Sequence, residues 1–348
     1  MKKWFIRALP WIITLLLIRF IISRGGDLND LHAELQQAQW GWLLAAILFQ
    51  AGAFGAVAWL NEQLLRAYGV IVPRFRQYII QFTMAFVETV IPSAALSGLL
   101  LRVHLLKPYG AAPDVAIATS LVETVTIAVS VAVPALLVAL IVLVDGHVAG
   151  QLLWWLTLGL TIILSSTFIT AQQWRKGRLR PAGSWLIGRL AIVWDDYVAA
   201  RWPQQLVDWP SSRVLNRLYF LLSELGPLLR NRLHLVVSAL TLRTACEAAA
   251  FIACFYTFGE TLPLLTLLIL YTVTITVNTL GGIPGGVGLA EVSLASIYLH
   301  FGITPESAIA VALAYRITGY WLPRAVGGLA WLWLEYLHRF QPITEEAG

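Results

Sequence analysis

An all-α integral membrane protein, a polytopic helical bundle built from two inverted repeats, is the fold class that this sequence predicts, and three observations predict it. First, hydrophobic residues make up 58% of the 348 and charged ones 12%, against about 45–50% and about 25% in soluble domains. Such a chain cannot cover itself with polar surface in water and takes a bilayer as its solvent. Second, two apolar regions, 78–107 and 264–300, are each interrupted at the centre by Ile-Pro and small residues, at Pro92 and again at Pro284. Third, the 192-residue offset between those prolines also carries Gly110-Ala-Ala-Pro-Asp-Val-Ala-Ile-Ala118 onto Gly302-Ile-Thr-Pro-Glu-Ser-Ala-Ile-Ala310. Self-similarity at one offset is the mark of internal duplication.

A helix needs roughly 20 apolar residues to span a bilayer, which places spans near 4–22, 40–60, 115–144, 152–170, 233–257, 305–322 and 325–337. The first follows Lys2-Lys3 and is closed by Arg19 and Arg24 with no small-residue cleavage site, so it is expected to stay uncleaved with the N-terminus cytoplasmic. In the interrupted regions proline removes a backbone donor and glycine weakens a helix, so each is expected to be two half-helices joined by irregular backbone, a re-entrant hairpin. Irregular backbone at membrane depth is tolerated only inside protein or against a water-filled cavity. Counting crossings then gives one transmembrane domain, 1–348, with repeat one at 40–170, a cytoplasmic linker at 171–232 and repeat two, of opposite topology, at 233–337. The count leaves the tail after Leu337 outside.

The linker holds ten basic residues (Arg175, Lys176, Arg178, Arg180, Arg189, Arg201, Arg213, Arg217, Arg230, Arg232) and four acidic ones (Asp195, Asp196, Asp208, Glu224), so it alone accounts for the net charge of +5. Charge gathered in one segment between apolar spans is what the positive-inside rule produces, and it argues against a nucleic-acid partner. Trp185, Trp194, Tyr197 and Trp202 interleave with these charges, either as a structural anchor in the interface or as a recruiter of anionic headgroups. Cys246 and Cys254 are the two cysteines and lie on one helix, too far apart to bridge, which excludes a disulfide framework and a zinc site. The run Gly281 to Gly288 lacks the Lys-Ser/Thr of a nucleotide-binding loop, and neither His-Glu-x-x-His nor Gly-x-Ser-x-Gly occurs. No catalytic residue, metal or cofactor is assigned.

Ionisable residues inside spans are costly in hydrocarbon and must face a partner or a cavity. They are Glu88 and Arg102 in the first interrupted region, Glu123 in the next helix, Arg243 and Glu247 four apart in helix 233–257, Glu291 in the second interrupted region and Arg316 in helix 305–322. Arg243 and Glu247 can pair along one face. For Glu88, Glu123, Glu291 and Arg316 two readings stay open: inter-helix ion pairs that staple the bundle, or the lining of a substrate path. Glu62, Arg324 and Arg339 lie at span ends, where snorkelling accounts for them. The candidate cavity residues are therefore Glu88, Pro92, Arg102, Glu123, Pro284, Gly285, Gly286, Gly288, Glu291 and Arg316, with an arginine to hold a phosphate and a glutamate to exchange a proton.

The stretch Gly281-Gly-Ile-Pro-Gly-Gly-Val-Gly-Leu-Ala-Glu291, then Gly302, the small-residue run Ala308 to Ala314 and Tyr315-Arg316, resembles the second signature of the transmembrane region of lysylphosphatidylglycerol synthases and their stand-alone relatives. Its first signature has a proline and then Gly-Glu-x-x-Arg; here Pro92 is followed by Gly98-Leu-Leu-Leu-Arg102, with Leu99 in the glutamate's place. The resemblance covers nearly all of the chain. It implies a flippase-like protein that moves a membrane phospholipid or lipid-linked headgroup between leaflets of the cell membrane without ATP hydrolysis. It also implies that lipid aminoacylation is absent, since about ten residues follow the last span. The alternatives are a membrane-embedded lipid transferase, using carboxylates such as Glu88 and Glu123, and a secondary transporter of a soluble solute. A homo-oligomer is compatible with all three.

Overall fold

The computed structural model describes residues 34–90, 96–145, 212–280 and 289–340. The expected spans 4–22 and 152–170, the linker as far as 211, and Pro92, Pro284, Gly285, Gly286 and Gly288 lie outside the described residues. Among the described residues the regular elements are helices: α1 (Trp40–Ala67), α2 (Arg74–Val90), α3 (Leu96–Leu106), α4 (Pro113–Asp145), α5 (Ser212–Thr257), α6 (Leu264–Leu280), α7 (Leu289–His300), α8 (Pro305–Arg316) and α9 (Leu322–Phe340). Among the described residues three stretches are long and apolar enough to cross a membrane: Trp40–Ala67, Pro113–Val138 and Leu233–Thr257. Each interrupted region holds two shorter helices, of 17 and 11 residues in the first and 17 and 12 in the second.

One backbone pattern recurs along the chain. After α1, Gly69 takes a φ of 76°, its N–H bonds to the Arg66 carbonyl, and that of Val70 bonds to Leu65. After α5, Gly259 takes a φ of 73° and the bonds run Gly259 to Tyr256 and Glu260 to Phe255. This is one helix-ending motif, and it needs a left-handed residue that glycine supplies without a Cβ penalty. A proline and a 17-residue helix follow in both places, at Pro73 and at Pro263. The motif appears again at Gly110, with Ala111 bonding back to Leu106, and at Gly302, with Ile303 bonding back to Tyr298. Pro113 and Pro305 then open the next helix in each half, at a position where a missing N–H costs nothing.

Two helices depart from the expected boundaries. The span expected at 233–257 is the end of a single 46-residue helix that begins at Ser212, inside what reads as linker. Leu, Arg and Glu are good helix formers, so charge ends the membrane stretch without ending the helix. The two spans expected at 305–322 and 325–337 are one rod: α8, a π-helical turn at Ile317–Trp321, and α9 follow without a gap. Pro323 suggests a break because its ring clashes with the carbonyl four residues back. The π turn relieves that clash by widening the helix, with the Leu322 N–H bonding to the Ile317 carbonyl, and Gly319 adds no side chain there.

The chain divides into two compact units. One comprises Met1–Ala58, Arg74–Gly98 and Thr241–Gly348; the other comprises Trp59–Pro73 and Leu99–Leu240. In the first, α5 to α8 gather an aromatic core, with Phe251 4.9 Å from Phe255, 5.8 Å from Tyr271 and 5.2 Å from Tyr315 between ring centroids. Tyr298 joins it edge-on to Phe255 at 5.3 Å and shares a 3.2 Å hydrogen bond with Thr274. In the same unit α2 and α9 pack backbone to backbone: a Cβ added at Gly327 would overlap the Phe82 carbonyl oxygen and sit 3.0 Å from Phe86 Cβ. Small residues at a helix contact permit this approach where lipid supplies no hydrophobic drive. The second unit packs Leu60, Leu64, Ala118, Val122 and Ala239 beneath Trp59, Tyr68 and Val236.

Hydroxyls inside the helices are satisfied locally. Thr126, Thr257, Thr272 and Thr318 donate to the carbonyl four residues back at 2.8–2.9 Å, which leaves no polar hydrogen facing hydrocarbon. The Gln77 amide of α2 differs: it is 1% exposed, and among the described residues neither its Nε2 nor its Oε1 has a hydrogen-bond partner. A buried amide left unpaired costs about 1–3 kcal/mol, so Gln77→Leu is expected to raise stability by about that much. Thermal unfolding in detergent checks it; a fall in melting temperature would show that the amide is satisfied in the native state.

Candidate functional site

Among the described residues three polar clusters within the apolar helices bear on function, and each is built from residues that the helices bring into reach. In the second unit Arg102 of α3 is 1% exposed and Glu123 of α4 is 7% exposed. Arg102 Nη1 donates to Glu123 Oε2 at 2.5 Å and to Ser120 Oγ at 3.0 Å. Asn61 of α1 donates its Nδ2 hydrogen to the same carboxylate oxygen at 2.9 Å. One carboxylate thus ties three helices, and the bonds offset the desolvation that burying two charges incurs.

A second cluster lies on α5 and α6 in the first unit. Arg243 chelates Glu247 Oε1 through Nε at 3.0 Å and Nη2 at 2.6 Å, the four-residue pairing expected from the sequence. Tyr271 Oη donates to Glu247 Oε2 at 3.4 Å.

The third cluster, also in the first unit, surrounds the ring of Tyr320. Arg316 Cζ lies 4.1 Å from its centroid and Arg324 Cζ 3.5 Å. Arg324 Nε donates to Thr89 Oγ1 at 2.6 Å and Nη1 donates to the Tyr320 carbonyl at 2.9 Å. Both Arg316 and Glu88 are within electrostatic reach of Arg324. Glu88, exposed near the end of α2, lies against Gly98 of α3 so closely that a Cβ there would sit 2.8 Å from Glu88 Cγ.

The ten sequence-derived candidates therefore fall in different places. Arg102 and Glu123 meet each other, while Glu88 and Arg316 both approach Arg324. Glu291 belongs to the first turn of α7, and its side chain, like Pro92, Pro284, Gly285, Gly286 and Gly288, is outside the described residues. Two residues assigned to snorkelling do something else. Glu62 is 2% exposed and pairs with Arg66 at 2.6 Å, and Arg324 is half-buried on Tyr320. Sequence reasoning missed Tyr320 because it weighed charged residues alone as candidates and set Arg324 at a span end. The signal was present, since Arg316, Tyr320 and Arg324 recur every four residues along one face. Asn61 was missed by one position, just past the expected end of its span.

Long apolar helices that bury ion pairs and satisfy their own hydroxyls define an α-helical membrane protein. The chain belongs to the family of the lysylphosphatidylglycerol synthase TM region, which it matches over residues 7–327. Among curated proteins it is similar to a UPF0104 membrane protein of Pyrococcus horikoshii, 29% identical over 75 residues, which are 22% of each chain. It is also similar to two UPF0104 membrane proteins of Methanothermobacter thermautotrophicus. One is 32% identical over 75 residues, 22% of each chain, and the other 31% identical over 86 residues, 25% of this chain and 24% of that protein. Each match thus spans a quarter or less of the relative's length.

Proposed function

We propose that this protein moves a phospholipid or a lipid-linked headgroup between the leaflets of the cell membrane, acting as a carrier without nucleotide hydrolysis. The observation that carries the reading is the family match over residues 7–327, a region named for a phospholipid synthase's transmembrane part. The repeated backbone motifs at Gly69 and Gly259, and at Gly110 and Gly302, support it, because two copies of one hairpin-bearing unit in opposite topology are a known basis for alternating access. In this reading both interrupted regions are re-entrant and face a common polar path, Arg316 holds the lipid phosphate, and protonation of Glu291 resets the carrier. The N-terminus is cytoplasmic. Because α8 and α9 form one rod rather than two spans, the crossing count returns the C-terminus to the cytoplasmic side as well.

The test is translocation of fluorescent phosphatidylglycerol in proteoliposomes, read by quenching from outside. Wild-type protein is expected to expose the inner-leaflet pool, Arg316→Ala to abolish this with folding intact, and Glu291→Gln to remove its pH dependence. A rate equal to that of protein-free vesicles would sink the proposal, and uptake of a soluble solute by the same vesicles would replace it.

A further inference from the structure

We infer that Arg316, Arg324 and Thr89, arranged around the ring of Tyr320, form a subsite for a phosphate oxyanion. Two guanidinium groups share one aromatic ring, at 4.1 and 3.5 Å from its centroid. Two like charges held this close repel each other; Glu88, within reach of Arg324, offsets part of that repulsion, and an anion seated against both guanidinium groups adds attraction at each. The π turn sets the register: it lies between the two arginines and stacks positions 316, 320 and 324 on one face despite Pro323.

Arg324 is held as a presenting group. The Tyr320 ring fixes the plane of its guanidinium, and Nε and Nη1 are bound to neutral oxygens, those of Thr89 and of the Tyr320 carbonyl. Thr89 is itself fixed, since its hydroxyl hydrogen goes to the Ala85 carbonyl at 2.9 Å and its lone pair accepts from Arg324. Arg324 Nη2 has no partner among the described residues. With Arg324 half-buried and Thr89 exposed at the end of α2, the site is reachable. A planar donor held in advance loses little entropy on binding and suits the tetrahedral oxygens of a phosphate. Glu88, in electrostatic reach of Arg324, repels a dianion more than a monoanion, which favours a phosphodiester over free phosphate.

The inference rests on the lipid-moving reading for the source of its ligand only. The experiment measures thermal stabilisation and lipid retention, by native mass spectrometry, of the full chain in detergent with phosphatidylglycerol, diacylglycerol or inorganic phosphate. Phosphatidylglycerol is expected to bind and diacylglycerol not to. Arg324→Gln is expected to weaken phosphatidylglycerol binding about ten- to a hundredfold, as the loss of a charge-assisted hydrogen bond predicts. Equal stabilisation by inorganic phosphate, lost in the same variant, supports the subsite and assigns it to free phosphate. Should Arg324→Gln not fold, Arg324→Lys decides, because it keeps the charge and loses the planar fork: weakened binding at wild-type melting temperature supports the site. Wild-type binding in the folded variant overturns it. If wild-type protein moves no lipid yet binds phosphatidylglycerol through Arg324, transport falls and the subsite stands. If it moves lipid while binding is independent of Arg324, the subsite falls and transport stands.

Discussion

Arg102→Ala is expected to lower the unfolding free energy by about 3–5 kcal/mol, because it leaves Glu123 buried without its countercharge. Glu123 is 7% exposed, and among the bonds it receives, that from Asn61 is neutral and cannot replace a guanidinium at 2.5 Å. The size of the effect comes from the uncompensated charge rather than from the worth of the pair. Removing both charges, in Arg102→Met with Glu123→Gln, is therefore expected to restore most of the loss, since a well-packed neutral pair often equals a buried ion pair. Urea or thermal unfolding of the two singles and the double closes the cycle. Additive losses in the double would mean that the two residues do not act on each other.

Gly327→Leu is expected to cost about 3 kcal/mol or more, at the upper end of overpacking effects. An added Cβ alone meets the Phe82 carbonyl oxygen, lies 2.6 Å from the carbonyl carbon, and lies 3.0 Å from Phe86 Cβ. Flexible side-chain ends yield to a new atom, but a carbonyl within a hydrogen-bonded helix does not, so α2 and α9 must part. Parting them also removes the contact of Arg76 with the Trp333 ring, at 4.7 Å, and the bond of Arg324 to Thr89. Lower melting temperature together with weakened phosphatidylglycerol binding is the expected pair of results for Gly327→Leu. Gly41 has nothing near it, so Gly41→Ala serves as the control and is expected to leave stability unchanged or slightly raised. Equal melting temperatures for the Gly327 variant and this control would refute the close contact.

Local rules that depend on neighbours within a turn or two were legible in the chain. The Arg243–Glu247 pair needs only a helix and a spacing of four, and it formed as expected. The Gly110 and Gly302 segments were legible as a matched pair, and both carry a left-handed glycine ahead of a helix opened by proline. The same local logic split one rod into spans 305–322 and 325–337, with Pro323 in the gap. Whether proline ends a helix or is absorbed by a π turn depends on what the turn packs against, and here Gln50 of α1 approaches Gly319 within 3.8 Å of where a side chain would begin.

Composition and spacing by themselves determined that the chain is an α-helical membrane protein, because bilayer solvation and helix period act on every residue regardless of its distant partners. Tertiary structure alone decided which charge meets which. Arg102 and Glu123 are close across two helices, Asn61 joins them from a third, and Arg324 leaves the helix end that its position suggested to stack on Tyr320. A buried ion must find its partner wherever the packing of backbones places one, and that packing is set by small residues such as Gly327, whose effect on a neighbouring helix has no periodic signature in the chain.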